Sequence, residues 1–500
     1  MKQIIEFIFT IIIDLIKGIF TLIEEIISHF QKKDHSKNAS FGNIREVLHK
    51  FHEGISIGDK AVRLEKSLEG GALILGKSGS GKSSLVFKNQ LFRAPDFAPR
   101  NHRKKPMSYV CLDPSGELLQ DCGWSLQAKG YEIEVINFSE ADKSTVAWNP
   151  IANIQDYEVT RFATDYISTT MGSQSSDPFW NLSATRILTW GIHTVRQFEP
   201  KYHTLFNVLY VIQKLSGEQE EIDILMDRKA TPKWLYESYC SIVNMGENVL
   251  PSVLATVIAS LQLFNDPNIS ATTSINTLDM ASYRTKPKVL FIQNKIMNQE
   301  YVSGLNSLLF MAWFSETMNA LPKEGEHTLV YLIDECSSLK MKKSILPLAS
   351  SNLRKHNSYG IFGYQSFAQV EQMLGREGAT TLKQNTGTIF YLPNQDLHTA
   401  QDISRQLGKY TYQDENGTFK ERELLTSDQV SYLEKGIGGI LFSANQRGIL
   451  LKNTLPFYKI KKYLKWSKEK IEPLEQLKTE TIPVLPIQEI IQNKTNNEEE

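Results

Sequence analysis

The sequence predicts an α/β fold whose mainly parallel sheet is interrupted by an all-α insertion and preceded by an amphipathic helix. Three observations carry this prediction. A glycine-rich loop follows an apolar strand near residue 76, apolar strands alternate with helices, and residues 155–285 contain helical patterns with little that resembles a strand. Strands that are apolar throughout are typical of a parallel sheet that is covered on both faces.

The 500 residues are enough for about two to four folding units. The patterns along the chain predict six segments: an amphipathic membrane-proximal helix at 1–30, a polar linker at 31–43, the first part of an α/β domain at 44–154, an all-α insertion at 155–285, the second part of the α/β domain at 286–460, and a basic then acidic, partly disordered tail at 461–500.

The first segment is the apolar stretch MKQIIEFIFTIIIDLIKGIFTLIEEIISHF, which no small-residue cleavage site follows. Residues 4–23 include fourteen Ile, Leu or Phe, but Asp14 and Lys17 lie near the centre, so the free energy of insertion is close to zero. The charged residues project on one side of a helix. The pattern favours a helix that lies on a membrane or docks in a membrane partner. A true span and an ordinary packing helix remain alternatives.

The glycine-rich loop follows the apolar strand GGALIL at residues 70–75 and matches the pattern G-x-x-x-x-G-K-[ST] at every position. Glycines allow the backbone N–H groups to curl around phosphate oxygens, and the following helix adds its positive end. Lys82 is placed to reach the β- and γ-phosphates, and the Ser83 hydroxyl can bind Mg²⁺. A serine-rich turn without a ligand is the alternative. The predicted nucleotide-binding residues are Gly76, Lys77, Ser78, Gly79, Ser80, Gly81, Lys82, Ser83 and Ser84.

Hydrolysis of a nucleotide also needs carboxylates, and the strand HTLVYLI at residues 327–333 ends in two of them. Asp334 suits the metal position and Glu335 is placed to activate a water molecule. An acidic pair after a strand can also be a simple loop or helix cap. The presence of a complete phosphate loop in the same chain favours the catalytic interpretation.

Two further candidates flank the apolar strand YGIFGY. Gln365 ends this strand, where its amide could contact the γ-phosphate or the attacking water; a surface glutamine is the alternative. Arg354 precedes the strand on a predicted helix. It is either a solvated side chain or a residue that projects into the nucleotide site of a neighbouring subunit.

The charge balance limits how the chain could bind nucleic acid. Lys and Arg number 55 and Asp and Glu 56, so any nucleic-acid contact must be local. The basic stretches 100–106 and 459–470 are candidates for it, although such stretches are more often solvated. The four cysteines show no metal-ligand or disulfide spacing, which favours a reducing, cytoplasmic setting.

The order of the motifs is similar to that of a known family. After the phosphate loop come VCLDPSGEL at 110–118, AWNP at 147–150, DPFW at 177–180, and then LIDECSSL, LRKHNSYGIFGYQSFAQVEQMLG, DLHTAQDISRQLG and RELLTSDQV. Together they cover roughly residues 70–430. In this order they resemble the conjugative type IV coupling proteins of the TraG/TraD type, which are type IV secretion DNA-transfer ATPases. Ser115 stands where the family usually has a lysine.

This resemblance implies a RecA-like P-loop NTPase that uses ATP and Mg²⁺ and forms a ring, expected to be a homo-hexamer, around single- or double-stranded DNA. It places Lys82, Ser83, Asp334, Glu335 and Gln365 at the nucleotide site and Arg354 as the arginine acting on a neighbouring subunit. The implied partners are a relaxase, components of the type IV secretion channel, and the membrane through the N-terminal helix. The implied location is the cytoplasmic face of the inner membrane.

Two other functions remain open at this point. The chain could be a docking receptor whose assembly is tuned by nucleotide, without strong motor activity. It could instead be an FtsK/HerA-like DNA translocase for chromosome partitioning, which would share the motor and differ in its partners.

Overall fold

The computed structural model of the chain describes residues 38–96, 106–171, 178–443, 446–478 and 481–498. The predicted helix at 1–30, residues 31–37 of the linker and residues 100–105 of the first basic stretch lie outside these ranges. Among the described residues, no single helix is both long and apolar enough to cross a membrane; one pair bent by 88°, Val249–Asn265 with Pro267–Thr273, meets the length and composition criteria only when the two are taken together.

The described residues form thirteen strands, which are β1 Ser56–Ile57, β2 Lys60–Ala61, β3 Ala72–Leu75, β4 Met107–Leu112, β5 Glu132–Asn137, β6 Lys288–Gln293, β7 Thr328–Ile333, β8 Ser358–Tyr364, β9 Thr388–Tyr391, β10 Lys409–Gln413, β11 Phe419–Glu423, β12 Ile437–Ser443 and β13 Ile449–Lys452. Nine of them form one sheet in the order β13-β12-β9-β3-β8-β7-β4-β6-β5. The pairs β1–β2 and β10–β11 are separate antiparallel hairpins.

The central sheet is mainly parallel, as predicted. The seven strands from β9 to β5 run parallel to their neighbours, and β12 and β13 add an antiparallel edge. Strand β8 lies between β3 and β7. The strand before the phosphate loop is therefore separated from the strand before the acidic pair by the strand that precedes Gln365.

The helices in the described residues, in chain order, are α1 Ile44–Val47, α2 Leu64–Leu68, α3 Lys88–Phe92, α4 Glu117–Gln127, α5 Val159–Met171, α6 Pro178–Val195, α7 Leu205–Gly217, α8 Gln219–Met226, α9 Lys233–Val243, α10 Val249–Leu261, α11 Pro267–Thr273, α12 Gln299–Asn319, α13 Ile345–Asn352, α14 Phe367–Asn385, α15 Leu397–Leu407, α16 Ser427–Ser431, α17 Lys461–Trp466 and α18 Ile487–Glu498.

The helical insertion is the connection between β5 and β6, which are paired in the sheet. Helices α5 to α11 lie in it, and the described residues between these two strands form no strand. Its helices pack on one face of the sheet through a core that includes Leu73, Val110 and Trp190. The opposite face of the sheet buries Ile74, Tyr109 and neighbouring residues in a second core. Because successive strand residues point to opposite faces, apolar residues at every position bury both faces.

Parts of the C-terminal segment pack against the rest of the chain. Helix α17 packs on the helix that follows the phosphate loop, with the Tyr463 and Phe92 ring centroids 4.9 Å apart and stacked. Further on, Leu485 and Ile487 are buried. Helix α17, Leu485 and Ile487 of the predicted tail are therefore packed, and partial disorder elsewhere in the tail stays a prediction. Its basic composition obscured the aromatic and aliphatic side chains that pack.

This C-terminal segment bridges the α/β domain and the insertion. The Asn89 side chain of α3 donates to the Leu455 carbonyl at 3.3 Å. At the other end, Asn207 of α7 donates to the Pro483 carbonyl at 3.0 Å and accepts from the Leu485 N–H at 2.9 Å. Helix α18 then packs on α8.

The described part of the predicted linker, residues 38–43, is hydrogen-bonded to the domain. Ala39 N–H donates to the Lys409 carbonyl, and Gly42 N–H donates to the Gly448 carbonyl, each at 2.9 Å. Asn43 caps helix α1 by accepting from the Arg45 N–H at 3.0 Å. These residues therefore fix the start of the domain.

Candidate functional site

The phosphate loop lies at the carboxyl end of β3. Gly79 and Gly81 have φ angles of +75° and +95°, a left-handed conformation that side chains other than glycine rarely adopt. A Cβ atom on Gly79 would meet no atom within 4 Å, so there is open space beside the loop at this residue. The backbone is thus shaped as the pattern predicts, with room for a ligand beside it.

The helix after the loop differs locally from the expectation of a regular α-helix. Residues Ser83–Phe87 form a π-helical turn that continues into α3. Leu85, Val86 and Phe87 are buried in it. A π-helical turn widens the backbone, and such turns are frequent at functional sites.

The structure brings the phosphate loop and the acidic pair into contact across 251 residues of sequence. The Ser83 hydroxyl donates a hydrogen bond to Oδ2 of Asp334, which follows β7. The other carboxylate oxygen, Oδ1, is buried and has no hydrogen-bond partner in the described part of the chain. Burial raises the pKa of Asp334 to about 6, and the hydrogen bond from Ser83 and the charge of Lys82 oppose this rise.

Lys82 lies across the mouth of the loop. Its Nζ donates to the Gly76 carbonyl at 2.6 Å. Burial lowers the pKa of Lys82, whereas the charges of Asp334 and Glu335 raise it. The ammonium group is therefore held near both carboxylates.

Glu335 lies between two amide side chains. Gln365 Nε2 donates to Oε1 of Glu335 at 3.3 Å, and Gln299 Nε2 donates to Oε2 at 3.5 Å. Gln365 directly follows β8, while Gln299 begins α12. Gln299 could not be identified from the sequence, because no recognised motif contains it. The two amides together orient the carboxylate.

Arg354 is not at this site. It lies in the turn before β8, whereas Gln365 follows the end of that strand. Strand β8 has seven residues at a rise of roughly 3.3 Å each, so its first and last residues lie about 20 Å apart. The Arg354 side chain is 62% exposed, and its guanidinium lies 4.0 Å from the Glu69 carboxylate. It cannot serve the nucleotide site of its own chain.

The DPSGE segment follows β4 at the same edge of the sheet. Asp113 is buried and accepts the N–H groups of Leu118 and Leu119, each at 3.0 Å, so it caps helix α4. Burial raises the pKa of Asp113 to about 6. Ser115, which stands at the lysine position of the family motif, is exposed. Asp113 therefore fixes the turn between β4 and α4, and Ser115 adds no positive charge there.

The buried Lys88 forms ion pairs with two more exposed carboxylates and so joins this segment to the phosphate-loop helix. Lys88 of α3 donates to Asp121 at 2.7 Å and to Glu117 at 3.1 Å. Their hydrogen bonds and charges outweigh the effect of burial, and the pKa of Lys88 is raised. Helices α3 and α4 are thereby held together.

The donor set fits Mg²⁺ bound together with a triphosphate. The described residues contain no cluster of three or more His, Cys, Asp or Glu side chains that could hold a metal by itself. The Ser83 hydroxyl and the unpartnered Asp334 oxygen are the oxygen ligands that Mg²⁺ prefers, and phosphate oxygens would complete the shell.

A separate groove of about 1090 Å³ lies between the insertion and the α/β domain. Tyr157, Phe162, Leu308, Met311 and Leu348 contribute to its lining. None of the candidate site residues lines it. It is therefore distinct from the phosphate loop.

Comparison with known proteins identifies one family. Residues 98–467 match the family model described as "Type IV secretory system Conjugative DNA transfer". Among curated proteins, the chain is 21% identical over 391 residues to Protein VirD4 of Rhizobium radiobacter, a match that covers 75% of this chain and 56% of that protein. It is 23% identical over 352 residues to the type IV secretion system-coupling protein VirD4 of Bartonella henselae, covering 66% and 53%. The matches thus span about half the length of these relatives.

Solved structures share the fold. The plasmid coupling protein TrwB in complex with the non-hydrolysable ATP analogue ADPNP superposes with a TM-score of 0.62 at 16% identity, covering 84% of this chain and 94% of TrwB. TrwB in complex with ADP and Mg²⁺ gives 0.59 at 17% identity, covering 86% and 92%. The expected RecA-like P-loop fold is confirmed by this similarity.

Proposed function

Because the chain belongs to the type IV secretory system conjugative DNA transfer family, we propose that it is a coupling protein that hydrolyses ATP to drive DNA into a type IV secretion channel. The observation that supports this most directly is the meeting of the phosphate loop with the acidic pair, through the hydrogen bond from Ser83 to Asp334. That contact unites the groups that bind phosphate and metal at one edge of the sheet.

The residues that would hold ATP and Mg²⁺ follow from this geometry. The loop from Gly76 to Ser84 would bind the phosphates through its N–H groups, and Ser83 and Asp334 would hold the metal. TrwB structures contain an ATP analogue in one case and ADP with Mg²⁺ in another. When bound, Mg²⁺ would supply positive charge that neutralises the negative charge developing on the phosphates.

The remaining groups supply positioning and proton transfer. Lys82 would leave the Gly76 carbonyl, 2.6 Å away, to bind phosphate oxygens. Glu335 would accept a proton from the attacking water. Gln365 and Gln299 hold its two carboxylate oxygens, so the base has a fixed direction. Arg354 would act on the nucleotide site of a neighbouring subunit, because the nucleotide site of its own chain lies at the opposite edge of the sheet.

The partners proposed for this chain come from the family. We place DNA in the channel of a homo-hexameric ring, with a relaxase delivering the DNA and the type IV secretion channel receiving it. We propose the cytoplasmic face of the inner membrane as the location. The near-neutral charge of the whole chain supports local rather than general DNA contact.

The proposed activity is tested by measuring ATP turnover of the full chain at low salt, with and without single-stranded DNA. We expect turnover that DNA increases. Lys82→Ala and Glu335→Gln should each lower turnover by about 100-fold or more, since each removes a group required in the transition state. Glu335→Gln should still bind a fluorescent ATP analogue.

Lys233→Ala, which alters a side chain of the insertion that is 89% exposed, is the control and should behave like the wild type. The proposal is wrong if the wild-type chain shows no turnover under either condition and Lys82→Ala cannot be distinguished from it.

A further inference from the structure

The hairpin formed by β10 and β11 stands outside the central sheet. Its two strands are antiparallel, with five paired positions from Lys409 opposite Glu423 to Gln413 opposite Phe419. Nearly all of these residues are exposed. Asp414 shapes the turn by accepting the N–H groups of Asn416 and Thr418 at 3.0 and 2.8 Å. The hairpin therefore presents two ordered faces to its surroundings.

The register assigns contrasting side chains to these two faces. Tyr410 lies opposite Arg422 and Tyr412 opposite Lys420. Directly paired residues share a face, and alternate residues of a strand do so too. These four residues therefore form one surface, here named the tyrosine face.

The other face carries different chemistry. Lys409, Thr411 and Gln413 lie there, opposite Glu423, Glu421 and Phe419. Two carboxylates and one ammonium group make it acidic overall, so it would repel a phosphate backbone.

The tyrosine face combines aromatic rings with cations. The centroids of the Tyr410 and Tyr412 rings are 6.1 Å apart, with an angle of 47° between the ring planes. Lys420 and Arg422 are exposed beside them. Lys420 also contacts Asp414 at 2.8 Å, so Arg422 carries most of the positive charge that a phosphate would meet.

The free edge of β10 is already occupied. The Asn38 side chain accepts from the Thr411 N–H at 3.0 Å and donates to the Thr411 carbonyl at 3.4 Å. Ala39 N–H donates to the Lys409 carbonyl at 2.9 Å. A ligand that binds by adding a strand to β10 would have to displace these residues. The tyrosine face, in contrast, can be reached without displacing Asn38 and Ala39.

We propose that the tyrosine face binds single-stranded DNA, with bases stacked on Tyr410 and Tyr412 and the phosphate backbone beside Arg422. This inference rests on the proposed function, which supplies DNA as the partner, and it adds the surface and the strandedness. Rings that alternate with cations fit unpaired bases, because every base offers a face for stacking. In a duplex these faces are occupied by neighbouring bases.

The hairpin is far enough from the nucleotide site to be altered separately. Residues 39–42 connect the hairpin to the edge of the central sheet, because Ala39 is hydrogen-bonded to Lys409 and Gly42 to Gly448. Strand β13 begins at the next residue, Ile449. Ser443, at the end of β12, pairs with Thr388, the first residue of β9. This is the amino-terminal edge of the parallel strands, whereas the phosphate loop follows the carboxyl end of β3. Substitutions on the tyrosine face should therefore leave basal ATP turnover unchanged.

The test is the affinity of the full chain for a fluorescein-labelled oligothymidylate, measured by fluorescence anisotropy. Tyr412→Ala should weaken binding about tenfold, the loss expected for one stacked base, and Tyr410→Ala with Tyr412→Ala should weaken it further. Arg422→Gln should reduce the slope of log affinity against log salt by about 0.7, the value for one phosphate contact on a single strand.

Phe419→Ala and Lys409→Gln remove an aromatic ring and a cation from the opposite face and should bind like the wild type. Photo-crosslinking of a bromodeoxyuridine oligonucleotide should label the peptide that contains residues 409–423. Basal ATP turnover and chain assembly are measured for each variant, so that a loss of folding is recognised.

Equal affinity of the double tyrosine variant and the wild type overturns the proposal, as does an equal loss in Phe419→Ala. A wild-type chain that binds no oligothymidylate, or a duplex whose binding falls by the same factor in the tyrosine variants, also overturns it. Failure of the proposed motor function is separate: it would appear as absent ATP turnover in a chain whose binding to oligothymidylate still depends on the tyrosines.

Discussion

Burial favours the neutral form of the Asp334 carboxyl group, whereas metal binding requires the ionised form. Burial raises its pKa to about 6, although Ser83 donates a hydrogen bond to it and Lys82 lies nearby. Its second oxygen is buried without a partner in the described residues. The ionised group is therefore costly until a cation is present.

This cost leads to a prediction for Asp334→Asn in the absence of nucleotide and metal. With a pKa of about 6 in the folded chain and 3.8 as the ordinary value, the folded chain binds the proton more tightly between about pH 4 and 6. Stability therefore falls as the pH rises through this window. The variant should be more stable than the wild type by about 3 kcal/mol at about pH 8, and the difference should nearly vanish near pH 4.

Thermal unfolding followed by circular dichroism at both pH values measures this difference. Asp428→Asn, which removes an exposed carboxylate, is the control. Asp113 also has a raised pKa, so the comparison is between variant and wild type rather than the pH profile of the wild type alone. A variant less stable than the wild type at about pH 8 would contradict the prediction.

At the level of single residues, the sequence could predict the site where a motif and a strand end coincide. Ser83, Asp334 and Gln365 each follow a strand of one parallel sheet, so their meeting follows once the strands are recognised. Gln299 could not be predicted in this way. It begins α12, and its approach to Glu335 depends on how the chain after β6 crosses towards β7, which the sequence does not specify.

Among the elements, helix α17 shows how a charged composition can hide a packed segment. Tyr463 and Trp466 lie three residues apart, on the same side of a helix; the Tyr463 ring stacks on Phe92, and the Trp466 ring is tilted against both. Lys129 Nζ lies 5.2 Å from the centroid of the Trp466 ring. The spacing of the aromatic residues was the available signal. The π-helical turn at Ser83–Phe87 had no comparable signal, since its side chains also suit an α-helix.

Removing this aromatic contact should destabilise the α/β domain. Trp466 is half-buried, so we expect Trp466→Ala to cost about 2 kcal/mol, less than a fully buried aromatic residue. This corresponds to a fall in melting temperature of about 5 °C. Leu464→Ala, on the same helix but exposed, is the matched control and should melt with the wild type. Equal melting of Trp466→Ala and the wild type would show that α17 does not contribute to the stability of the domain.

For the whole molecule, the position of Arg354 bears on whether a single chain contains every group that hydrolysis needs. The arginine and the nucleotide site lie at opposite edges of the same sheet, about 20 Å apart along β8. One chain therefore has an incomplete site if Arg354 is required for hydrolysis. The sequence identified Arg354 through the family resemblance, whereas its distance from the nucleotide site of its own chain follows only from its place before β8.

Mixing two inactive variants tests this arrangement. Arg354→Ala and Lys82→Ala chains should each hydrolyse ATP slowly, and a mixture of the two should be faster than either alone. In the mixture, an intact phosphate loop from the first chain can meet an intact arginine from the second. The measurement is ATP turnover at constant total protein, with Arg354→Lys and Lys355→Ala, its exposed neighbour, as comparisons. Turnover in the mixture equal to the average of the separate variants would contradict the assignment.

The bridging C-terminal segment has a practical consequence for locating movements in the molecule. Helix α18 follows the α/β domain in sequence but packs on α8 of the insertion, where Gln488 donates to Glu221 at 3.2 Å. A fluorophore attached to α18 would thus report on the insertion, while one attached to α17 would report on the helix behind the phosphate loop. Two labels only about twenty residues apart would measure the distance between the two halves of the protein.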